Sequence, residues 1–208
     1  GWTRGTARLS VTKPWDRQLS CLSLPMSPPG LVRGKLIDLD RGAPEDFDRN
    51  AAALRGNVAL VNIANPISAG RWIQRIEKYN RSVLAGADAF IFMGNEEGYG
   101  PVTGALGFNR WGLIPGIAVS RETGLQLRRF LHRGEVALEI ETTDQQVPKT
   151  SWNVIGDIGP WEGEMVIFGS HYDAHDLAQG AHDPTSGLVA SLEAARALAL
   201  NKEQLKRS

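Results

Sequence analysis

One cysteine, Cys21, stands in the 208-residue sequence, so no disulfide can form within the chain and thiol usage does not place it in an oxidising or a reducing compartment. A lone cysteine of this kind reads as a small buried hydrophobe rather than a nucleophile. Neither sign of charge is in excess, with 23 Lys+Arg against 23 Asp+Glu, and no basic run is longer than Arg128-Arg129. Binding a phosphate backbone needs cations concentrated on one face, which excludes a nucleic-acid partner. No apolar run approaches the ~20 residues that cross a bilayer, and the opening GWTRGTARLS has no signal-peptide apolar centre, so no transmembrane segment is expected. Internal repeats and low-complexity tracts are absent too. With 42% hydrophobic and 22% charged residues, the composition is that of a core-forming chain. At roughly 100–200 residues per domain, its length admits one large domain or two small ones. The missing initiator Met, and the stop at NKEQLKRS straight after a helical pattern, point to a fragment of a longer protein.

What is present falls into three stretches. Residues 1–33 hold short alternating segments such as ARLSVT and the turn-rich SLPMSPPG, predicting edge strands and a connection. From Gly34 strands and helices alternate. GKLIDLD predicts a strand, Ala43-Pro44-Glu45-Asp46 opens a short acidic helix closed at Gly56, and NVALVNIAN is a strongly apolar strand. RWIQRIEKYNRSVLAGA places Trp72, Ile76, Tyr79 and Val83 about one turn apart, which predicts an amphipathic helix ending near Gly86. ADAFIFMG is another strand. Asn95 to Pro115, rich in Gly, Pro, Asn and aromatics without periodicity, reads as a long surface loop. IPGIAVS is a strand, after which Ser120 caps a helix through Leu131. Beyond a join near Arg133-Gly134, EVALEIETTD, SWNVIGDIG and EMVIFGSH read as three strands, the last suited to burial on both faces. TSGLVASLEAARALAL then sets Leu188, Leu192, Ala195 and Ala199 on one helical stripe. The expected fold class is α/β, divided into 1–33, a β-α-β module over 34–133, and the start of an open α/β sheet in 134–208.

The chemistry concentrates in MVIFGSHYDAHDLAQGAHDPTSG, which packs His171, Asp173, His175, Asp176, His182 and Asp183 into thirteen residues and holds three of the four histidines. Ligands of open α/β sheets bind just beyond the carboxyl ends of the strands, where His171 falls. A borderline divalent metal takes imidazole nitrogen and carboxylate oxygen, which His171 leaving a strand and Asp183 entering a helix would supply from opposite sides of a short loop. Asp173, two residues after His171, is placed to accept the other imidazole N–H and fix the tautomer. Taken singly, Asp183 before Thr185-Ser186 reads rather as a helix cap, and His171 as a polar loop residue. The set as a whole favours metal binding. Gly180 and Gly187 flank Asp183, where bulky side chains would obstruct a metal and its substrate.

The stretch NVIGDIGP, the apolar strand, GSHYD, QGAHDPTSG and SLEAARAL together resemble the opening of the catalytic domain of the two-zinc exopeptidases, which include bacterial leucyl aminopeptidases and glutamate carboxypeptidase-like enzymes. VLAGADAFIFMGN and IPGIAVSRETGLQL resemble the protease-associated domain that many of them carry. The resemblance implies a fold of that domain followed by the first strands and helix of a zinc-peptidase sheet, with two zinc ions per full site and a peptide substrate. It implies that His171 is a ligand of one zinc, Asp183 the carboxylate bridging both, and Asp173 the catalytic-site acid orienting His171. A cis peptide between Asp183 and Pro184 follows from the same likeness. The family's Glu-Glu pair, further Asp and second His have no match here; Glu96-Glu97 precedes the zinc segment and reads as a solvated loop. His175 and Asp176 fall near the substrate entrance and His182 on the rim. The isolated chain is accordingly expected to bind zinc weakly and to hydrolyse nothing, and the parent to be secreted, periplasmic or lumenal and to admit a homodimer. The rival expectation is a non-catalytic, receptor-like protein with the same two domains. Retention of His171, Asp173 and Asp183 together favours the enzyme. A zinc-dependent cyclase is disfavoured by the protease-associated unit.

Overall fold

The computed structural model describes residues 1–107, 110–159 and 163–205. Phe108 and Asn109 of the expected loop, and Pro160 at the end of NVIGDIGP, lie outside the described residues. The chain divides into two compact units, Gly1–Lys149 and Thr150–Ser208.

In the first unit β1 (Trp2–Thr3) pairs with β10 (Gln145–Gln146), and the remaining strands form one sheet. These are β2 (Ala7–Lys13), β3 (Arg17–Leu19), β4 (Leu22–Ser23), β5 (Gly30–Asp38), β6 (Val58–Asn62), β7 (Ala89–Met93), β8 (Gly116–Val119) and β9 (Ala137–Thr142), in the order β3-β2-β9-β5-β6-β7-β8-β4. The run β5-β6-β7-β8 is parallel and the other neighbours are antiparallel. Helices α1 (Pro44–Leu54), α2 (Arg75–Leu84) and α3 (Arg121–Leu131) make the connections.

Successive strand residues point to opposite faces, and here both faces are covered. Val58, Leu60, Ala89, Ile91, Met93, Ile117 and Val119 pack with Leu127 and Phe130 of α3. Their alternates Ala59, Val61, Phe90, Phe92 and Ala118 pack with Phe47 and Leu54 of α1 and Tyr79 of α2. The antiparallel half has one wet face instead. In β9, Leu138 and Ile140 are buried while Glu139 and Glu141 face Arg33 (2.6 Å) and Arg8 (3.7 Å) on the neighbouring strands. Ser120 Oγ accepts the Thr123 N–H at 3.2 Å and caps α3 as expected.

Three expectations meet a different arrangement. The strand within 135–144 is β9, which hydrogen-bonds β2 and β5, so it lies in the first unit and the units part after Lys149 rather than near Arg133-Gly134. Trp72 is exposed and Ile73 is buried in its stead, because α2 begins only at Arg75 and helical spacing does not extend back to Trp72. The described residues between Asn95 and Pro115 form a loop without helix or strand, as expected, yet one anchored to the unit: Leu106 is buried and its N–H donates to Pro25 O, and Tyr79 Oη donates to Ile114 O (2.8 Å) while accepting the Ile114 N–H (2.9 Å). In the second unit, 151–159 and 164–171 carry no regular pairing, and Val166, Ile167 and Phe168 are exposed. A strand exists only where a neighbour takes up its backbone groups, and the described residues of this unit present none.

Two buried groups are read directly from their surroundings. Burial raises the Cys21 thiol to about 11, which leaves it protonated and unreactive near neutrality. Burial lowers Lys78 to about 8, and its Nζ donates to the carbonyls of Asn62 (2.8 Å), Ile63 (3.3 Å) and Ala64 (2.8 Å), pinning the chain where it leaves β6.

Removing the side chain of buried Ile140 is expected to cost the first unit about 3 kcal/mol, measured for Ile140→Ala by urea unfolding. Lys78→Met keeps the volume but strands three carbonyls, and is expected to cost about 2 kcal/mol in the same measurement.

Candidate metal centre

The second unit contains α4 (Thr185–Leu200) and the exposed segment that leads into it. After His171 the chain turns at His175, whose carbonyl accepts the Ala178 N–H at 2.8 Å, and returns through Gly180. Gly180 O then accepts the Thr185 N–H at 3.0 Å. His182 O accepts both the N–H (3.3 Å) and the Oγ–H (2.6 Å) of Ser186, which closes the first turn of α4. Leu188 N–H to Pro184 O continues it.

This loop sets its two ends face to face. His171 Nε2 lies 3.0 Å from Asp183 Oδ1. The opposite ring nitrogen, Nδ1, lies 2.9 Å from the Asp173 carbonyl and 3.3 Å from Asp173 Oδ1. Each ring nitrogen faces an acceptor, so both contacts are hydrogen bonds only when the ring is protonated and donates from Nδ1 and Nε2 together. In the neutral ring the two acceptors at Nδ1 hold the proton there and leave the Nε2 lone pair for a metal. Both oxygens come from Asp173, with the main-chain one nearer, so the residue orients the imidazole through its backbone as well as its carboxylate. Asp183 is not a cap: α4 has no side-chain cap, and the Asp183 carboxylate is turned to His171 instead. The Asp183–Pro184 bond is cis.

Two ligands held at about 2.0–2.2 Å by one ion stand about 3.0–3.5 Å apart for bond angles between a right angle and a tetrahedral one. The 3.0 Å separation of Nε2 and Oδ1 falls at the near end of that range, and a nitrogen with a carboxylate oxygen suits zinc and its neighbours. Among the described residues, no group of three or more His, Cys, Asp and Glu is arranged to hold an ion. His175, Asp176 and His182 are exposed in the same loop, and no three-ligand group forms from them and the pair among the described residues. Glu96 and Glu97 are exposed in the first unit, with Glu97 3.6 Å from Arg121.

The His171 pKa is raised above its ordinary 6.5, first by the bond to the Asp173 carbonyl, then by the Asp173 carboxylate and the charge of Asp183. The folded state thus holds this proton more tightly than the unfolded state does. The resulting stabilisation is complete below pH 6.5 and is lost as pH rises through the folded-state value. Gly180 is buried at φ +69° in this loop, as is Pro184, while the residues around them are exposed.

Residues 31–127 match the PA domain and residues 153–208 match Peptidase family M28. Aminopeptidase YwaD of Bacillus subtilis (strain 168) is 30% identical over 179 residues, covering 85% of this chain and 35% of that protein. Leucine aminopeptidase 2 of Trichophyton equinum is 30% identical over 105 residues, covering 48% of this chain and 21% of that protein. The chain therefore spans about a third or less of these relatives. In three dimensions it is similar to an aminopeptidase from Aneurinibacillus sp. strain AM-1, with a TM-score of 0.67 at 22% identity over 96% of this chain and 47% of that one, a likeness of fold. Among the described residues no helix is long and apolar enough to cross a membrane.

In metal-free protein, NMR titration of the His171 ring is expected to give a pKa above 6.5, and both Asp173→Asn and Asp183→Asn are expected to move it down towards that value.

Proposed function

With residues 31–127 a PA domain and residues 153–208 a segment of peptidase family M28, we propose that this chain is part of a co-catalytic zinc exopeptidase of the aminopeptidase type, one that hydrolyses peptide bonds near chain ends. The observation that carries the proposal is the 3.0 Å approach of His171 Nε2 to Asp183 Oδ1 inside the M28 segment, with the other imidazole nitrogen already engaged by Asp173. The aminopeptidase names of the relatives support the choice of reaction.

In this proposal His171, through Nε2, would be a ligand of one zinc, and the Asp183 carboxylate would be a ligand shared with the second. Asp173 keeps the proton on Nδ1, so the ring neither rotates nor changes tautomer as Nε2 gives up its lone pair. Bound zinc supplies an acidified water and polarises a carbonyl. The loop residues do the rest of what this chain contributes: they hold an imidazole and a carboxylate apart by the span of one ion and leave both open to solvent, where a peptide end can reach them. Two donors make a weak site, so residues 1–208 alone bind zinc weakly and hydrolyse no peptide. The proposal extends to a peptide substrate, a secreted, periplasmic or lumenal setting and a homodimeric parent, each resting on family likeness.

Calorimetric titration of the chain with zinc is expected to show weak binding that His171→Ala and Asp183→Ala each reduce by more than about 100-fold, and Asp173→Asn by about 10–100-fold. Zinc binding unaffected by all three substitutions would sink the proposal. In the parent enzyme, His171→Ala and Asp183→Ala are expected to remove peptidase activity.

A further inference from the structure

We propose that Gly180 is the positioning residue that sets the separation of His171 and Asp183, because its missing side chain lets the outgoing and returning arms of the loop touch. The proposal builds on the zinc assignment above. In the loop from His171 to Pro184 only Gly180 and Pro184 are buried. Gly180 has φ +69°, a left-handed conformation that glycine adopts without cost. A Cβ added there would stand 2.8 Å from the Ala174 Cβ on the outgoing arm and 3.4 Å from Pro184 Cδ on the returning arm.

The carbonyl of Gly180 is bonded to the Thr185 N–H, so the glycine is fixed to the first turn of α4 together with Asp183. Any relief therefore falls on Ala174. Bringing that contact to the 3.4 Å of ordinary packing needs a shift of about 0.6 Å, which exceeds the ~0.2 Å tolerance of metal–ligand distances. Ala174 directly follows Asp173, whose carbonyl and carboxylate hold His171, so the shift passes to the imidazole. The glycine thus acts through the protein atoms around it rather than by leaving space at the ion. Gly187 differs, since a Cβ there would meet Ser170 Cβ at an ordinary 3.5 Å.

The test is titration of the chain with zinc alone, comparing the native sequence with Gly180→Ala, Gly180→Asn and the double variant Ala174→Gly/Gly180→Ala, with circular dichroism to follow α4. Gly180→Ala is expected to weaken zinc binding about 10–100-fold. Gly180→Asn tolerates the left-handed backbone but still carries a Cβ, and is expected to lose as much. Ala174→Gly removes the atom that is struck, so the double variant is expected to regain at least tenfold over Gly180→Ala. Undiminished binding in Gly180→Ala would overturn the inference. So would recovery in Gly180→Asn, or a double variant as weak as Gly180→Ala, because backbone strain alone would then explain the loss. Failure of the underlying zinc assignment has a separate signature, namely native binding that is indifferent to His171→Ala and Asp183→Ala.

Discussion

β5 is the strand on which the first unit hangs, because its two edges are bonded in opposite senses: antiparallel to β9 and parallel to β6. A strand cannot leave its N–H and C=O groups unpaired in a core, so both neighbours are fixed once β5 is in place. On the β9 side the sheet has a wet face, and the side chains alternate between Leu138 or Ile140 within and Glu139 or Glu141 without. On the β6 side helices cover both faces, and every residue of β6, β7 and β8 is buried. The change from alternating to continuous apolar sequence along the chain is a direct record of that junction.

The loop from His171 to Pro184 in the second unit is organised on a different basis. It buries only Gly180 and Pro184, and its ion pairs are solvent-exposed, so the attraction of His171 to Asp183 adds little to stability. An exposed imidazole that is nevertheless bonded at both ring nitrogens is an arrangement whose value lies in geometry. Main-chain carbonyls maintain it, those of Asp173, His175, Gly180 and His182, and at Gly180 an added Cβ would strike Ala174.

Much of the fold was legible in residue order. The apolar runs at 57–65 and 87–94, the cap at Ser120 and the helix 185–200 rest on local rules: an unbroken apolar stretch, period-3.6 patterning and a side-chain oxygen before a helix. Trp72 misled because helical spacing was extended into residues that precede the helix. EVALEIETTD reads as a strand, but alternation reports one buried face and says nothing of which sheet provides the cover, here β2 and β5. EMVIFGSH was read as a covered strand from composition alone, and cover is a property of neighbours.

His171, Asp173 and Asp183 stand out in the sequence by residue type and spacing, because imidazoles and carboxylates are metal-ligand types and few sit so close together. Their order along the chain determined which groups are available to an ion. Tertiary structure alone decided that Nε2 rather than Nδ1 faces Asp183, that Asp173 acts first through its carbonyl, and that Gly180 is held between Ala174 and Pro184. The physical reason is loop closure: propensity and periodicity act over a few residues, whereas the distance between residues twelve apart depends on where every intervening backbone hydrogen bond and contact is made.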